Sequence, residues 1–283
     1  MNLLHIFIDA RESTKADINK SLASIEQLQS TFKVYLFTEL DDCFDVAQTI
    51  IVNESSPIWG ELVASKMYDL KSGTFLYLHA GTTIKATSID HALTPMDTQN
   101  VHQGISTSEQ REFSGIAEKS PKESLTDFCR SQHIHISSLL IPVALIKQLD
   151  LPPKSLRIRV ENYVILRLLA NCNWIISAQK FTNISIAKKY TAKEVALDEM
   201  NFIRLLEADT KVKASMGEEW DDFVFAYMQT LAEALYQSEY YKEYLKTYEA
   251  IQQFFPKRLK TSKYMLKNIQ ASVHAKFQNK PKK

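Results

Sequence analysis

The chain has 283 residues, more than one average domain and fewer than two comfortable ones, which predicts a main domain of roughly 200 residues with an appendage. Thirty-four Lys and Arg against 33 Asp and Glu leave a net charge of +1, so no global charge drives the chain onto nucleic acid. The six glycines are never closer than eight positions, which excludes G-x-G-x-x-G and P-loop phosphate cradles, and Cys43, Cys129 and Cys172 are too far apart for C-x-x-C chemistry, which fits a reducing, cytoplasmic setting.

Leu3 to Ile8 is a dense apolar run, read as a strand buried on both faces and as too short for a signal segment. Ile18, Leu22, Ile25 and Leu28 then recur at helical spacing from an opening near Thr14, and Lys33 to Thr38 is strand-like again, followed by the acidic loop Glu39-Leu-Asp-Asp42. A short strand is expected at Thr49 to Val52, a helix from Ile58 to Leu70, and a buried strand from Thr74 to Leu78 ending at His79-Ala80-Gly81. Residues 95–122 are polar and read as a surface loop or shallow hairpin. A strand near His135 to Leu140, a helix from Val143 to Leu149, the breaker Pro152-Pro153, a helix from Val160 to Ala170 and a strand at Trp174 to Ser177 follow. From the capping box Thr191-Ala-Lys-Glu194 onward the pattern is wholly helical, with two or three helices after the first. The longest mostly apolar run, Ile136 to Ile146, is far short of a bilayer span.

Alternating strands and helices imply an α/β chain with an open, mostly parallel sheet, whose ligands bind beyond the carboxyl ends of the strands. That rule points to the loops at 9–12, 38–42 and 79–82. The C-terminal segment is distinct: between Tyr241 and Lys283 eleven Lys or Arg face only Glu243 and Glu249, interleaved with tyrosines. A basic stretch of this kind suits an anionic membrane surface, or a helical cap whose tyrosines pack inward; it matches no recognised nucleic-acid motif.

In pattern, residues 3–180 resemble the GT-A fold of nucleotide-sugar glycosyltransferases, in particular the large inverting family that builds bacterial surface polysaccharides. Leu22-Ala-Ser24-Ile25 resembles that family's L-x-S-[IL] motif in the first helix, and Phe75-Leu-Tyr-Leu-His-Ala-Gly-Thr82 is similar to the segment leading to its Asp-x-Asp motif. Ser137-Ser-Leu-Leu-Ile-Pro142 and Arg159-Val-Glu161-Asn162 resemble the acceptor half. The resemblance implies a GT-A (Rossmann-like) domain over 1–190, with a nucleotide half 1–94 and an acceptor half 95–190, and a basic helical extension over 191–283. It implies a nucleotide-sugar donor, UDP-linked by expectation, and a glycan or lipid-linked glycan acceptor. Asp9, Ala10 and Arg11 would border the base and ribose, Glu39 the base, and His79 and Gly81 the sugar diphosphate. Glu161 would take the acceptor proton. In this sequence His79 and Gly81 stand where the family has its two acids, Thr82 replaces the acid of the N-A-G-D variant, and Asn162 stands where an aspartate base is usual. Hard oxygen ligands for Mn²⁺ or Mg²⁺ are thereby lost; His79 is expected either to ligate a metal or to act as a cation toward phosphate, and Lys66, Arg11 or His79 to offset phosphate charge instead of, or beside, a metal. Two other readings stand beside the transferase: an inactive GT-A domain serving as a partner subunit or glycan-binding module, and a sugar-nucleotide nucleotidyltransferase, which normally needs a glycine-rich first loop. The alternation of His133 and His135 about Ile134 reads as a metal pair or a surface pair.

Overall fold

The computed structural model describes residues 3–11, 13–41, 48–51, 66, 69–98, 104–107, 116–131, 135–149, 156, 158–177, 181–184, 191–258 and 261–277. The chain divides into two compact units, Met1–Ala187 and Lys188–Lys283.

The first unit begins with β1 (Leu4–Asp9), α1 (Lys15–Ile25), β2 (Phe32–Thr38) and β3 (Gln48–Ile51). Thr14 opens α1 through a capping box in which its hydroxyl accepts from the Asp17 amide and the Asp17 carboxylate bonds back to Thr14. Next come β4 (Thr74–His79), β5 (Thr83–Ile84), α2 (Ala86–Thr98), β6 (Gly104–Thr107), β7 (Ile116–Lys119) and α3 (Pro121–Ser131). A 3-10 turn at Ile136–Ser138 leads into β8 (Leu139–Pro142), followed by the single turn α4 (Val143–Ile146), α5 (Val160–Asn171), β9 (Trp174–Ser177) and β10 (Thr182–Asn183).

Eight strands form one sheet in the order β3-β2-β1-β4-β8-β6-β9-β7, and β10 pairs with β5 apart from it. The β3-β2-β1-β4 half is parallel throughout, whereas β8 is antiparallel to both β4 and β6. Strand alternation sorts the central strands into two faces. Leu4, Ile6, Ile8, Val34, Leu36, Leu76 and Leu78 share a cluster with Ile18, Leu22 and Ile25 of α1 and Ile89 and Leu93 of α2. Fully burying one such aliphatic side chain contributes about 1.5–3 kcal/mol. The intervening positions are aromatic and polar: Phe7 packs on Tyr35, Phe37 and Phe75 with ring centroids 4.7, 5.5 and 5.0 Å apart. Asp9, Tyr77 and His79 fall on this second face by the same alternation.

Two expectations are corrected here. Residues 95–122 are not simply a surface loop: they contain the end of α2, the start of α3, and β6 and β7, with β6 hydrogen-bonded between β8 and β9 inside the sheet. A four-residue strand such as β6, held by main-chain pairing on both sides, needs no long apolar run to announce it. The strand expected near His135 begins later, at Leu139, because the His135 carbonyl accepts from the amide and hydroxyl of Ser138 and tightens the chain into a turn. His135 is therefore not in strand alternation, and His133 and Ile134 lie outside the described residues. So do most of the expected helix from Ile58 to Leu70, of which Lys66 and Asp69 are helical, and the Pro152-Pro153 breaker.

The second unit is helical: α6 (Ala192–Ala208), α7 (Thr210–Met216), α8 (Trp220–Gln237), α9 (Tyr241–Phe254) and α10 (Thr261–Phe277). Among the described residues four helices follow the first rather than two or three, because α7 is split off where Asp209 caps it through the Lys211 and Val212 amides. The Thr191 capping box forms as the sequence predicts, with the Thr191 amide on Glu194 at 2.9 Å. No described helix is long and apolar enough to cross a membrane.

Candidate active site

Parallel pairing of β1 with β4 sets Asp9 directly opposite His79 at the carboxyl ends of both strands. Asp9 is buried, and its carboxylate is heavily used. Oδ1 accepts from the Arg11 amide (3.1 Å) and from Arg11 Nε (3.2 Å), while Oδ2 accepts from Arg11 Nη2 (3.2 Å) and from the Tyr77 hydroxyl (3.2 Å). The fork holds the guanidinium in one orientation at the strand end. Burial pushes the Tyr77 phenol well above its ordinary range, and the nearby charges of Asp9 and Glu161 add to that, so the hydroxyl stays a donor to Asp9.

His79 occupies the centre of the group. Its Nε2 lies 2.8 Å from Oε1 of Glu161 and its Nδ1 lies 3.9 Å from Oδ2 of Asp9, with Tyr77 edge-on to the ring at 5.4 Å. Glu161 sits in the first turn of α5, where a carboxylate is favoured by the helix dipole. The side chains of His79 and Glu161 are 30% and 24% exposed, so both remain reachable from solvent.

The turn after His79 is fastened from behind by α1. The Ser21 hydroxyl accepts from the Gly81 amide (2.9 Å) and donates to the Thr82 carbonyl (2.8 Å); the Ser24 hydroxyl accepts from the Ile84 amide (3.1 Å) and donates to the Ser21 carbonyl (2.7 Å). Gly81, at φ 90°, takes a backbone conformation that favours glycine. The two serines, buried within a helix otherwise patterned for packing, hold the turn in a way that residue spacing did not expose; the L-x-S pattern pointed to Ser24 alone.

Of the positions singled out in the sequence, the fold brings Asp9, Arg11, His79 and Glu161 together and adds Tyr77. Ala10 lies in the apolar cluster beneath the strand ends. The Gly81 amide is directed to Ser21 and to the Asp17 carbonyl (3.1 Å), within the turn. Glu39 follows β2, half-buried, with Oε1 shielded from solvent and without a hydrogen-bond partner in the structure. Lys66 is helical and half-buried, and most of the chain around it lies outside the described residues.

The donor set of the described residues does not suit a divalent ion. Both Asp9 oxygens accept from a guanidinium or a phenol, a fixed cation stands beside them, His79 Nε2 is within bonding distance of Glu161, and Gly81 and Thr82 supply no carboxylate. Among the described residues no group of three or more His, Cys, Asp or Glu is arranged to hold a metal.

No protein-family model matches the chain and no curated protein does either. Solved structures do. The crystal structure of Staphylococcus aureus TarS 1–349 with UDP-GlcNAc aligns with a TM-score of 0.65 at 11% identity, over 98% of this chain and 92% of that one. The same protein with UDP aligns at 0.61 and 12% identity, over 100% and 93%. A mannosyltransferase from Pyrobaculum calidifontis in complex with GDP-Man and Mn²⁺ aligns at 0.51 and 11% identity, over 98% and 88%. The chain has the GT-A glycosyltransferase fold. At such identities the likeness is one of fold, and activity has to be argued from the side chains.

Proposed function

We propose that this GT-A domain is a glycosyltransferase that moves a sugar from a nucleotide-diphosphate donor, UDP-linked by expectation, to a hydroxyl of a surface glycan or lipid-linked glycan, with inversion. The observation that carries the reading is the meeting of Asp9, Arg11, His79 and Glu161 at the carboxyl ends of β1 and β4, where an open α/β sheet offers its ligand crevice. Glu161 accepts the proton of the acceptor hydroxyl as that oxygen attacks the anomeric carbon. The bond from that carbon to the diphosphate breaks on the opposite side, and the nucleoside diphosphate leaves with the electron pair. Arg11, pre-oriented by Asp9, and the imidazole of His79 beside it offset the charge that gathers on the leaving phosphate. His79 donating to Glu161 also holds the carboxylate in place until an acceptor displaces it.

The test is Glu161→Gln. Transfer to acceptor is lost while donor binding stays within about threefold of the parent; retained turnover would refute the assignment of the base.

A second reading, a catalytically inactive GT-A domain acting as a partner subunit or glycan-binding module, is favoured by one observation: the position next to Glu161 is Asn162, and Glu161 itself is engaged by His79. Under that reading no nucleotide sugar binds.

A further inference from the structure

In the second unit, α10 presents an apolar face on each of two opposite sides. The inner side is anchored. Ala271 and Ala275 are buried, the Tyr244 hydroxyl donates to Asn268 Oδ1 (2.7 Å), Lys267 Nζ bonds both Glu233 oxygens (2.7 Å), and Tyr241 stacks on His274 with centroids 5.0 Å apart. The outer side carries Met265, Leu266, Ile269 and Val273, which are 63%, 71%, 53% and 47% exposed. At about 100° per residue these four fall within an arc of roughly 100°, centred about 150° from the direction of Ala271 and Ala275. Together with Phe254 at the end of α9 they are the exposed large apolar side chains of the described residues. One exposed leucine needs no explanation, but four neighbours on one helix face do.

Charge narrows what covers them. From Phe255 to Lys283 the sequence has nine Lys or Arg and no Asp or Glu. Arg258 and Lys267 pair with Asp222 and Glu233 of α8. A second copy presenting the same face would set cations against cations. The occupant must offer negative charge and an apolar phase at once, and it must receive the outward side of a helix without a fitted groove. The interface of an anionic bilayer does so.

We infer that α10 is a docking surface for a membrane rich in anionic lipid, with Met265, Leu266, Ile269 and Val273 entering the boundary between headgroups and acyl chains and the basic residues after Phe255 other than Arg258 and Lys267, which pair with α8, drawing the anionic headgroups. This surface lies in the helical unit and does not depend on glycosyl transfer.

The experiment is co-sedimentation of the full chain with vesicles of phosphatidylcholine alone and of phosphatidylcholine mixed with phosphatidylglycerol, at low and high salt. The parent binds the mixed vesicles, binds the neutral ones weakly, and is released by salt. The double variant Leu266→Gln/Ile269→Gln keeps every charge; its partition onto mixed vesicles falls at least about tenfold with an unchanged thermal midpoint, since both side chains are exposed. No binding to the mixed vesicles, or equal binding by the variant, overturns the proposal. So does a parent dimer by light scattering that the double variant turns into a monomer, since the stripe would then be a contact between copies.

Discussion

His79 Nε2 and Glu161 Oε1 lie 2.8 Å apart, joining the end of β4 to the first turn of α5. The contact brings a residue of the parallel half of the sheet to a helix that follows the antiparallel strands. In the proposed reaction it serves two purposes, a cation for the leaving phosphate and a restraint on the base. His79→Gln keeps a hydrogen-bonding side chain and removes the capacity for charge. It is expected to weaken donor binding by about tenfold and to lower turnover further, with a thermal midpoint within about 2 °C of the parent; calorimetric titration with the donor checks the first and a transfer assay the second.

Ser21 is the hinge pin of the turn that carries His79. Ser21→Ala removes the bond from the Gly81 amide and the bond to the Thr82 carbonyl in a buried setting. The cost is about 1–3 kcal/mol, which lowers the thermal midpoint by roughly 3–10 °C, and donor affinity falls as well because the turn is no longer fixed. A variant as stable as the parent and with parental affinity contradicts this role.

Gly73 stands where the chain enters β4, at φ +117°. A Cβ there would overlap the Leu3 carbonyl oxygen, which accepts the Thr74 amide at 2.9 Å, and would touch the His5 ring at 3.0 Å. Gly73→Ala combines a disfavoured backbone conformation with a clash against backbone that cannot retreat. A loss of at least about 3 kcal/mol, read by denaturant unfolding, is the expected result.

His5 couples stability to pH. The ring is buried, its Nε2 bonds the Ser72 carbonyl at 3.0 Å and its Nδ1 has no partner in the structure. Burial lowers its pKa below 6.5, against the raising effect of the Ser72 carbonyl. The unfolded chain therefore binds a proton that the folded chain resists. Stability from this group is fully present above about pH 6.5 and is lost as pH falls below it. The thermal midpoint is expected to drop from pH 7 to pH 5, and His5→Gln to show a shallower drop; parallel curves would exclude His5 as the cause.

The parallel half of the sheet was readable because β1, β2 and β4 are rich in large apolar residues, and the period-two alternation that separates Phe7 and Asp9 from Ile6 and Ile8 is the same alternation that puts Asp9 and His79 on one face of the sheet. The other half was less legible. The strands β6 and β7 are four residues long and held by main-chain pairing, and β8 ends at Pro142, which carries no amide to donate. At the site, strand ends marked Asp9 and His79 as candidates and the glycosyltransferase resemblance added Glu161, but neither showed that Asp9 is committed to Arg11 and Tyr77. The Tyr77 part of that commitment spans 68 residues of chain, which no local pattern records. Ser21 was hidden for a similar reason: a serine in a helix reads as neutral until its partners, 60 residues on, are known.

The proposed donor site at the ends of β1 and β4 would hold the nucleotide sugar on Arg11 and His79 in place of a bound divalent ion. The direct measurement is a thermal-shift series of UDP, GDP, CDP and their sugars, each in EDTA and each with Mn²⁺ or Mg²⁺. At a hundredfold over Kd a specific ligand adds about 2.7 kcal/mol, a rise of several degrees for a chain of this size. The expected result is that one nucleotide raises the midpoint in EDTA and that His79→Gln reduces that rise. A rise that appears only with the metal, or no rise with any nucleotide, would contradict it.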